Sequence, residues 1–398
     1  MTLRALPPVR RAVPVTTGRA LAERSISHFF GNRQVTMFTS GTAALYSAIR
    51  DCAARAAVGA PEVILPAYGC PDLVAACAYA SVFPRLVDIA PEAWGYAHGD
   101  LERHVNPNTI AVVAVNLLGV GDDAAALRAL CRSKGIALIQ DSAQHLPRID
   151  TDWPGDYVVL SFGRGKPLNL LHGGALFTAR QFAKTDSIAT PHFPLKSRVL
   201  TSRLAAAAFN FLTRPVPYGL LTTLPGTGLG AVRYKALESA FPLPNRVIQR
   251  VSAAFERYRR ESTYGRKLWE PVLSDWHQWG IEELQSIDKG PEPEPLRLAL
   301  LAPDRSSRDT LVTSLNRAGL GATHFYGTEL PQVSGVPESV RAQGPFPNAR
   351  RLAARIFTLP THALVSAASV HEAHVIVRDW HCKREAIADS ALSGCFDR

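Results

Sequence analysis

The chain has 398 residues, 46% of them hydrophobic and 20% charged, a balance that excludes a disordered or collagen-like polymer and supplies ample core material. Lys and Arg number 44 against 34 Asp and Glu, and the net charge of +10 favours acidic ligands or surfaces without naming one. Six cysteines stand apart with no CxxC pair, which argues against a zinc site or a disulfide framework and suits a reducing, cytoplasmic setting.

In chain order, the N-terminal segment is basic and interrupted by Pro7, Pro8 and Pro14, so it does not read as a secretory signal. No stretch reaches the roughly 20 uninterrupted apolar residues of a membrane span. From about 31 to 178, β-rich runs alternate with helical ones. Strands are expected at 35–39, 62–66, 83–88, 109–116, 136–141, 157–161 and 174–178, with Ala-rich helices near 41–58, 70–81 and 122–134. This alternation predicts an α/β fold with an open, mostly parallel seven-stranded sheet flanked by helices. Ligands in such sheets bind beyond the carboxyl ends of the strands.

The stretch 180–240 breaks the rhythm with Pro191, Pro194, Pro215, Pro217 and Pro225 and reads as an irregular flap. A long helix is expected over 245–275, where Val247, Ile248, Val251, Ala254 and Phe255 recur at helical spacing. The KGPEPEP punctuation at 289–295 introduces a last αβ unit: a strand at 296–301 and helices at 306–318, 347–357 and 368–381. The expected organisation is a large domain over 1–240 and a smaller C-terminal α/β domain over 241–398.

Five features follow strand ends. Ser40-Gly41-Thr42 stands where a strand gives way to a helix, so it serves either as an ordinary N-cap or as a phosphate cradle at a positive helix end. Asp141 closes an apolar strand, as a turn residue or as a functional acid. Ser161 closes another, and Lys166 follows in a Gly-flanked loop, solvated or reactive. Gly173-Gly174 lets backbone approach a ligand closely or makes a turn. Tyr68, two residues before Cys70, offers a ring to the core or to a planar cofactor. A phosphate cradle, an acid, a lysine and a stacking group are together what pyridoxal 5′-phosphate requires. Lysine captures its aldehyde as a Schiff base, and the acid keeps the ring nitrogen protonated so that the ring accepts electrons.

At these residues the chain resembles the DegT/StrS family of sugar aminotransferases, fold type I pyridoxal-phosphate enzymes, and the similarity runs from about 31 to 376. The family's Ser-Gly-Thr-Ala-Ala is matched by Ser40 to Ala44, its Asp-Ala-Ala-Gln by Asp141-Ser142-Ala143-Gln144, and its Ser-Phe-x-x-x-Lys and Gly-Gly by Ser161-Phe162, Lys166 and Gly173-Gly174. The resemblance implies Lys166 as the Schiff-base lysine and proton carrier, Asp141 at the pyridine nitrogen, Gln144 at the ring hydroxyl, and Gly41, Thr42 and Ser161 at the phosphate. It places Tyr68 or Cys70 against the ring, and Asn116, His324 and Tyr326 towards substrate. Cys70 stands where relatives carry Trp or Phe. The Asn-Tyr-Arg-Met segment through which a neighbouring subunit completes the phosphate site has no clear counterpart, and Asn245 lies near its place.

The implied activity is a homodimeric, cytoplasmic transfer of an amino group, with glutamate as donor, to a keto group on a nucleotide-linked sugar. An alternative acceptor is a lipid-linked or amphiphilic carbonyl compound at a membrane surface. The span 204–232, uncharged apart from Arg214 and flanked by Arg203 and Arg233, suits such peripheral contact or else packs as a flap. A third reading is a catalytically degenerate member with a binding role. No helix-turn-helix, zinc finger or aromatic RNA-binding motif is present, so nucleic acid is not an expected partner.

Overall fold

The computed structural model describes residues 4–13, 29–91, 93–146, 153–179, 203–223, 232–242, 251–252, 254–256, 258–259, 265–287 and 295–393. Asn245 and all of 180–202 and 289–294 lie outside them.

Seven strands form the main sheet: β1 (Gln34–Phe38), β2 (Glu62–Pro66), β3 (Phe83–Val87), β4 (Thr109–Val115), β5 (Ala137–Asp141), β6 (Tyr157–Ser161) and β7 (Gly174–Thr178). Their order is β1-β7-β6-β5-β4-β2-β3, and only β7 runs against its neighbours. β4, Thr-Ile-Ala-Val-Val-Ala-Val, is buried at every position, which is why the central strands read as unbroken apolar runs rather than alternating ones. Helices α1 (Gly41–Arg55), α2 (Asp72–Tyr79), α3 (His98–His104) and α4 (Ala124–Lys134) connect the strands. α4 is bounded by local chemistry. The Asp123 carboxylate caps its first turn through the Ala126 N–H, and Gly135 at φ 68° takes the left-handed position that ends it. This architecture is the expected fold type I class, with helix α3 as an element that the sequence pattern did not announce.

A second, antiparallel sheet contains β8 (Glu282–Glu283), β9 (Arg297–Leu301) and β10 (Ile356–Pro360) in the order β10-β9-β8. Between the two sheets in sequence run α5 (Arg203–Leu212), α6 (Pro215–Thr223) and α7 (Glu270–Gln278); α8 (Arg305–Arg317), α9 (Glu338–Arg341), α10 (Pro347–Arg355) and α11 (Ala367–Ser393) follow β9.

Three expectations are corrected. The helix expected at 347–357 stops at Arg355, because Ile356-Phe357-Thr358-Leu359-Pro360 pairs with β9 and is buried throughout. The expected 245–275 helix is interrupted. Residues 265–269 are turns and α7 starts afresh with a proline in its first turn, the one place a helix tolerates it. Gly265 at this break lies so close to Thr361 that a Cβ would fall 1.5 Å from the Thr361 carbonyl oxygen. In the described part of 180–240, two helices separated at Pro215 replace the irregular flap.

A strap formed by residues 4–13 ties these parts together. Leu6 N–H donates to Gly319 O at 2.7 Å and Ala5 N–H to Pro215 O at 2.8 Å. Buried Arg297 donates to Pro8 O, Gly321 O and Thr358 O. With carbonyl partners and no carboxylate, burial pulls its pKa down to about 10. His362 faces Pro7 O at 2.7 Å and is held down to about 4 by burial. As a proposal, the chain divides near residue 240, with this strap crossing the division.

Candidate active site

The site is assembled at the carboxyl ends of β1, β4, β5 and β6. At the first, Ser40 caps α1 by accepting the Ala43 N–H at 3.1 Å. Gly41 opens the helix directly against Ser161. A Cβ on Gly41 would lie 2.6 Å from the Ser161 Cβ and 2.9 Å from its Oγ, so no side chain fits there and the positive end of α1 stays uncovered. Gly174 has a related role: its missing Cβ would lie 2.4 Å from Ser40 O, and Gly173 N–H donates to Thr39 O at 3.0 Å. The glycine pair therefore seats the cap against the sheet rather than approaching a ligand.

Asp141 closes β5 and is buried. Its Oδ1 accepts the Ala143 N–H at 2.9 Å, and no cation pairs with its carboxylate among the described residues. Burial raises its pKa, while the Ala143 amide and the nearby Lys166 ammonium pull it back. Gln144 is clamped at both ends of its amide: Oε1 accepts the Leu118 N–H at 2.9 Å and Nε2 donates to the Tyr326 hydroxyl at 2.7 Å. Asn116 Nδ2 donates to Ser142 Oγ at 2.6 Å. The loop carrying Lys166 turns at Gly165, φ +75°, where a Cβ would press on Val9 of the strap at 3.1 Å.

One cleft is lined by Gly41, Thr42, Cys70, Asn116, Asp141, Gln144, Ser161, Lys166 and Tyr326, nine of the residues singled out from the sequence. Two others are elsewhere. Tyr68 is fully buried, edge-on to Trp94 and to Tyr326, and does not line the cleft, whereas Cys70 does. Burial and the neighbouring Asp72 carboxylate push the Cys70 thiol up to about 12, so it is a neutral surface and not a nucleophile. His324 turns away towards α8, its Nε2 3.2 Å from Asp309 Oδ1, and does not line the cleft. Asp72, which sequence reasoning passed over, does line it and accepts from the Thr42 hydroxyl at 3.1 Å. Its only sequence signal was an acid in the first turn of the helix after Cys70-Pro71.

The model of the DegT/DnrJ/EryC1/StrS aminotransferase family matches residues 14–189 and 273–378. The chain belongs to this family. Among curated relatives, GDP-perosamine synthase of Vibrio cholerae is 28% identical over 158 residues, 38% of this chain and 42% of that protein. L-glutamine:2-deoxy-scyllo-inosose aminotransferase of Streptoalloteichus tenebrarius is 32% identical over 160 residues, 39% of this chain and 37% of that protein. These matches thus span less than half of the curated relatives' length. Among solved structures, NtdA of Bacillus subtilis with bound cofactor PMP superposes with a TM-score of 0.66 at 17% identity, covering 92% of this chain and 78% of that one. The aminotransferase TlmJ of Streptoalloteichus hindustanus does so with a TM-score of 0.63 at 20% identity, covering 95% and 93%. Both likenesses bear on the fold alone.

Proposed function

We propose that this protein is a pyridoxal 5′-phosphate-dependent aminotransferase that moves an amino group from glutamate to a keto group of a nucleotide-linked sugar. The observation that carries this reading is the convergence of one lysine, one buried carboxylate and one uncovered helix N-terminus on a single cleft. When bound, the cofactor supplies an aldehyde for an amine to capture and a ring that withdraws electrons.

The residues present fit that group. The buried Asp141 carboxylate lacks a cation within the described fold, and a protonated ring nitrogen supplies one. The contact of Gly41 with Ser161 keeps the first N–H groups of α1 and the Ser161 hydroxyl available to a phosphate, while the Thr42 hydroxyl donates to Asp72. Lys166 is the only amine lining the cleft and makes no ion pair among the described residues, so its Nζ is free to bind the aldehyde and to carry a proton. Gln144, held by Leu118 and Tyr326, presents a fixed amide edge beside Asp141.

The cleft holds one cation against two carboxylates, Asp72 and Asp141, so a dianionic phosphate calls for positive charge from elsewhere. We extend the proposal accordingly to a homodimer in which a second copy completes the site. The net charge of +10 supports a phosphate-bearing acceptor. A catalytically degenerate, binding-only member is the second reading, favoured by one observation: the Asp72 carboxylate beside Thr42 opposes a phosphate there.

The test is borohydride reduction of the protein mixed with pyridoxal 5′-phosphate, followed by peptide mapping and by amino-transfer assays with glutamate and glutamine as donors. A pyridoxyl label on Lys166 together with turnover is expected. A label on another lysine, or on none, overturns the proposal, and a label on Lys166 without turnover of any keto sugar nucleotide selects the degenerate reading.

A further inference from the structure

The segment between β6 and β7 carries Lys166 and is tied down at its ends, where Phe162 N–H donates to Gly173 O and Leu170 N–H to Phe162 O, both at 2.9 Å. Its middle is held less firmly. Lys166 N–H reaches Gly163 O only at 3.3 Å, beyond the usual range of about 2.7–3.2 Å. The direction of the lysine therefore depends on what lies against the loop from outside.

That neighbour is the strap of residues 4–13. Asn169, shortly after Lys166, is 1% exposed and does not line the cleft. Its Nδ2 donates to Arg10 O at 2.9 Å and its carbonyl accepts from Val13 N–H at 2.8 Å, so one residue meets the strap twice. Its Oδ1 accepts the Leu171 N–H at 3.0 Å and so supports Leu171 at φ 67°, a left-handed conformation that leucine seldom adopts. On the other side of Lys166, Gly165 leaves room only for the Val9 side chain, whose Cγ1 would lie 3.1 Å from an added Cβ. The strap is a fixed reference because other elements hold it. Leu6 N–H donates to Gly319 O, Arg297 donates to Pro8 O, and the Asn210 amide engages both backbone polar groups of Ala12.

We infer that Asn169 and Val9 are positioning residues for Lys166, fixing its loop against the strap so that Nζ meets the aldehyde of pyridoxal 5′-phosphate. The inference rests on the reading of Lys166 as the cofactor lysine. A loop released from the strap still carries Lys166, but its amine spends less time in the geometry that capture requires. Capture joins the neutral Nζ to the aldehyde carbon and releases the aldehyde oxygen as water, so only a ligand with that aldehyde senses the loss. Pyridoxamine 5′-phosphate has the same ring and phosphate with an amine in place of the aldehyde, and binds without capture.

Fluorescence titration of the cofactor-free full chain with each compound tests the inference, with borohydride reduction and peptide mapping of the wild type as its control. In Asn169→Ala the affinity for pyridoxal 5′-phosphate should fall about tenfold relative to that for pyridoxamine 5′-phosphate. Val9→Ala, which trims a half-buried side chain to its Cβ, should move the ratio the same way by about threefold. A residue that only stabilises the fold would weaken both ligands alike. A ratio unchanged in Asn169→Ala, or in Val9→Ala where Asn169→Ala does not fold, overturns the inference. A wild-type chain with no pyridoxyl label on Lys166 overturns the reading of that lysine and this inference with it, whereas a labelled wild type with an unchanged ratio leaves that reading standing.

Discussion

Gly41→Ala tests the cradle most directly. An alanine Cβ would sit 2.6 Å from the Ser161 Cβ, 2.9 Å from its Oγ and 3.2 Å from its Cα. Ordinary carbon contacts lie at about 3.5–4.0 Å, so α1 and the end of β6 must separate by roughly 1 Å. Overpacking of this size costs about 1–3 kcal/mol. The higher helix propensity of alanine returns at most about 1 kcal/mol, so the clash prevails. For a chain of this length unfolding as one unit, that net loss lowers Tm by roughly 1–3 °C. The effect on ligand binding should be larger, because the displaced N–H groups are the ones that meet a phosphate. A misalignment worth about 1.4 kcal/mol already costs tenfold in affinity. Scanning calorimetry and fluorescence titration with pyridoxal 5′-phosphate read the two effects separately. In the double variant Gly41→Ala, Ser161→Gly, the Cβ and Oγ that clash are gone, so Tm should recover while affinity, now lacking the Ser161 hydroxyl, should not. A single Gly41→Ala variant with unchanged Tm and unchanged affinity would refute the reasoning.

Asp141→Asn keeps an acceptor for the Ala143 N–H but removes a charge whose burial raises its pKa, so the ligand-free protein should be at least as thermostable at neutral pH while amino transfer falls by orders of magnitude; stopped-flow half-reactions and calorimetry check both. Gln144→Ala strands the Leu118 N–H and the Tyr326 hydroxyl and should cost about 1–3 kcal/mol in urea denaturation, with Gln144→Glu recovering the Leu118 contact. Burial raises the Asp122 carboxyl to about 7, so the folded state binds its proton more tightly than the unfolded chain does and stability must fall as pH rises from about 4 to about 7. The three-unit gap is worth about 4 kcal/mol, and Asp122→Asn should flatten the urea midpoint between about pH 4 and about pH 7.

The main sheet and the cleft at its carboxyl edge were legible in the sequence because their signals are local. Buried parallel strands show as short apolar runs such as 109–115, and the helix start at Ser40 shows as an N-cap residue ahead of an Ala-rich run. The chemistry-bearing residues follow strand ends in a fixed order, so Gly41, Asp141, Ser161 and Lys166 could be named from position alone, and the tertiary structure gathers them round one cleft. What failed has a common cause. The orientation of Tyr68 into the core, the turn of His324 towards Asp309, the choice of Ile356–Pro360 as strand over helix and the break at Gly265 are each decided by a partner far away in the chain: Trp94, α8, β9 and Thr361. The strap shows the same limit, for nothing in residues 4–13 announces that the Pro8 carbonyl will receive Arg297 of β9, 289 positions later, and the Pro7 carbonyl His362, just past β10 and 355 positions later. Periodicity and capping act over one or two turns and can be read directly. Which face meets which neighbour depends on burial and hydrogen-bond satisfaction that exist only once distant segments have met.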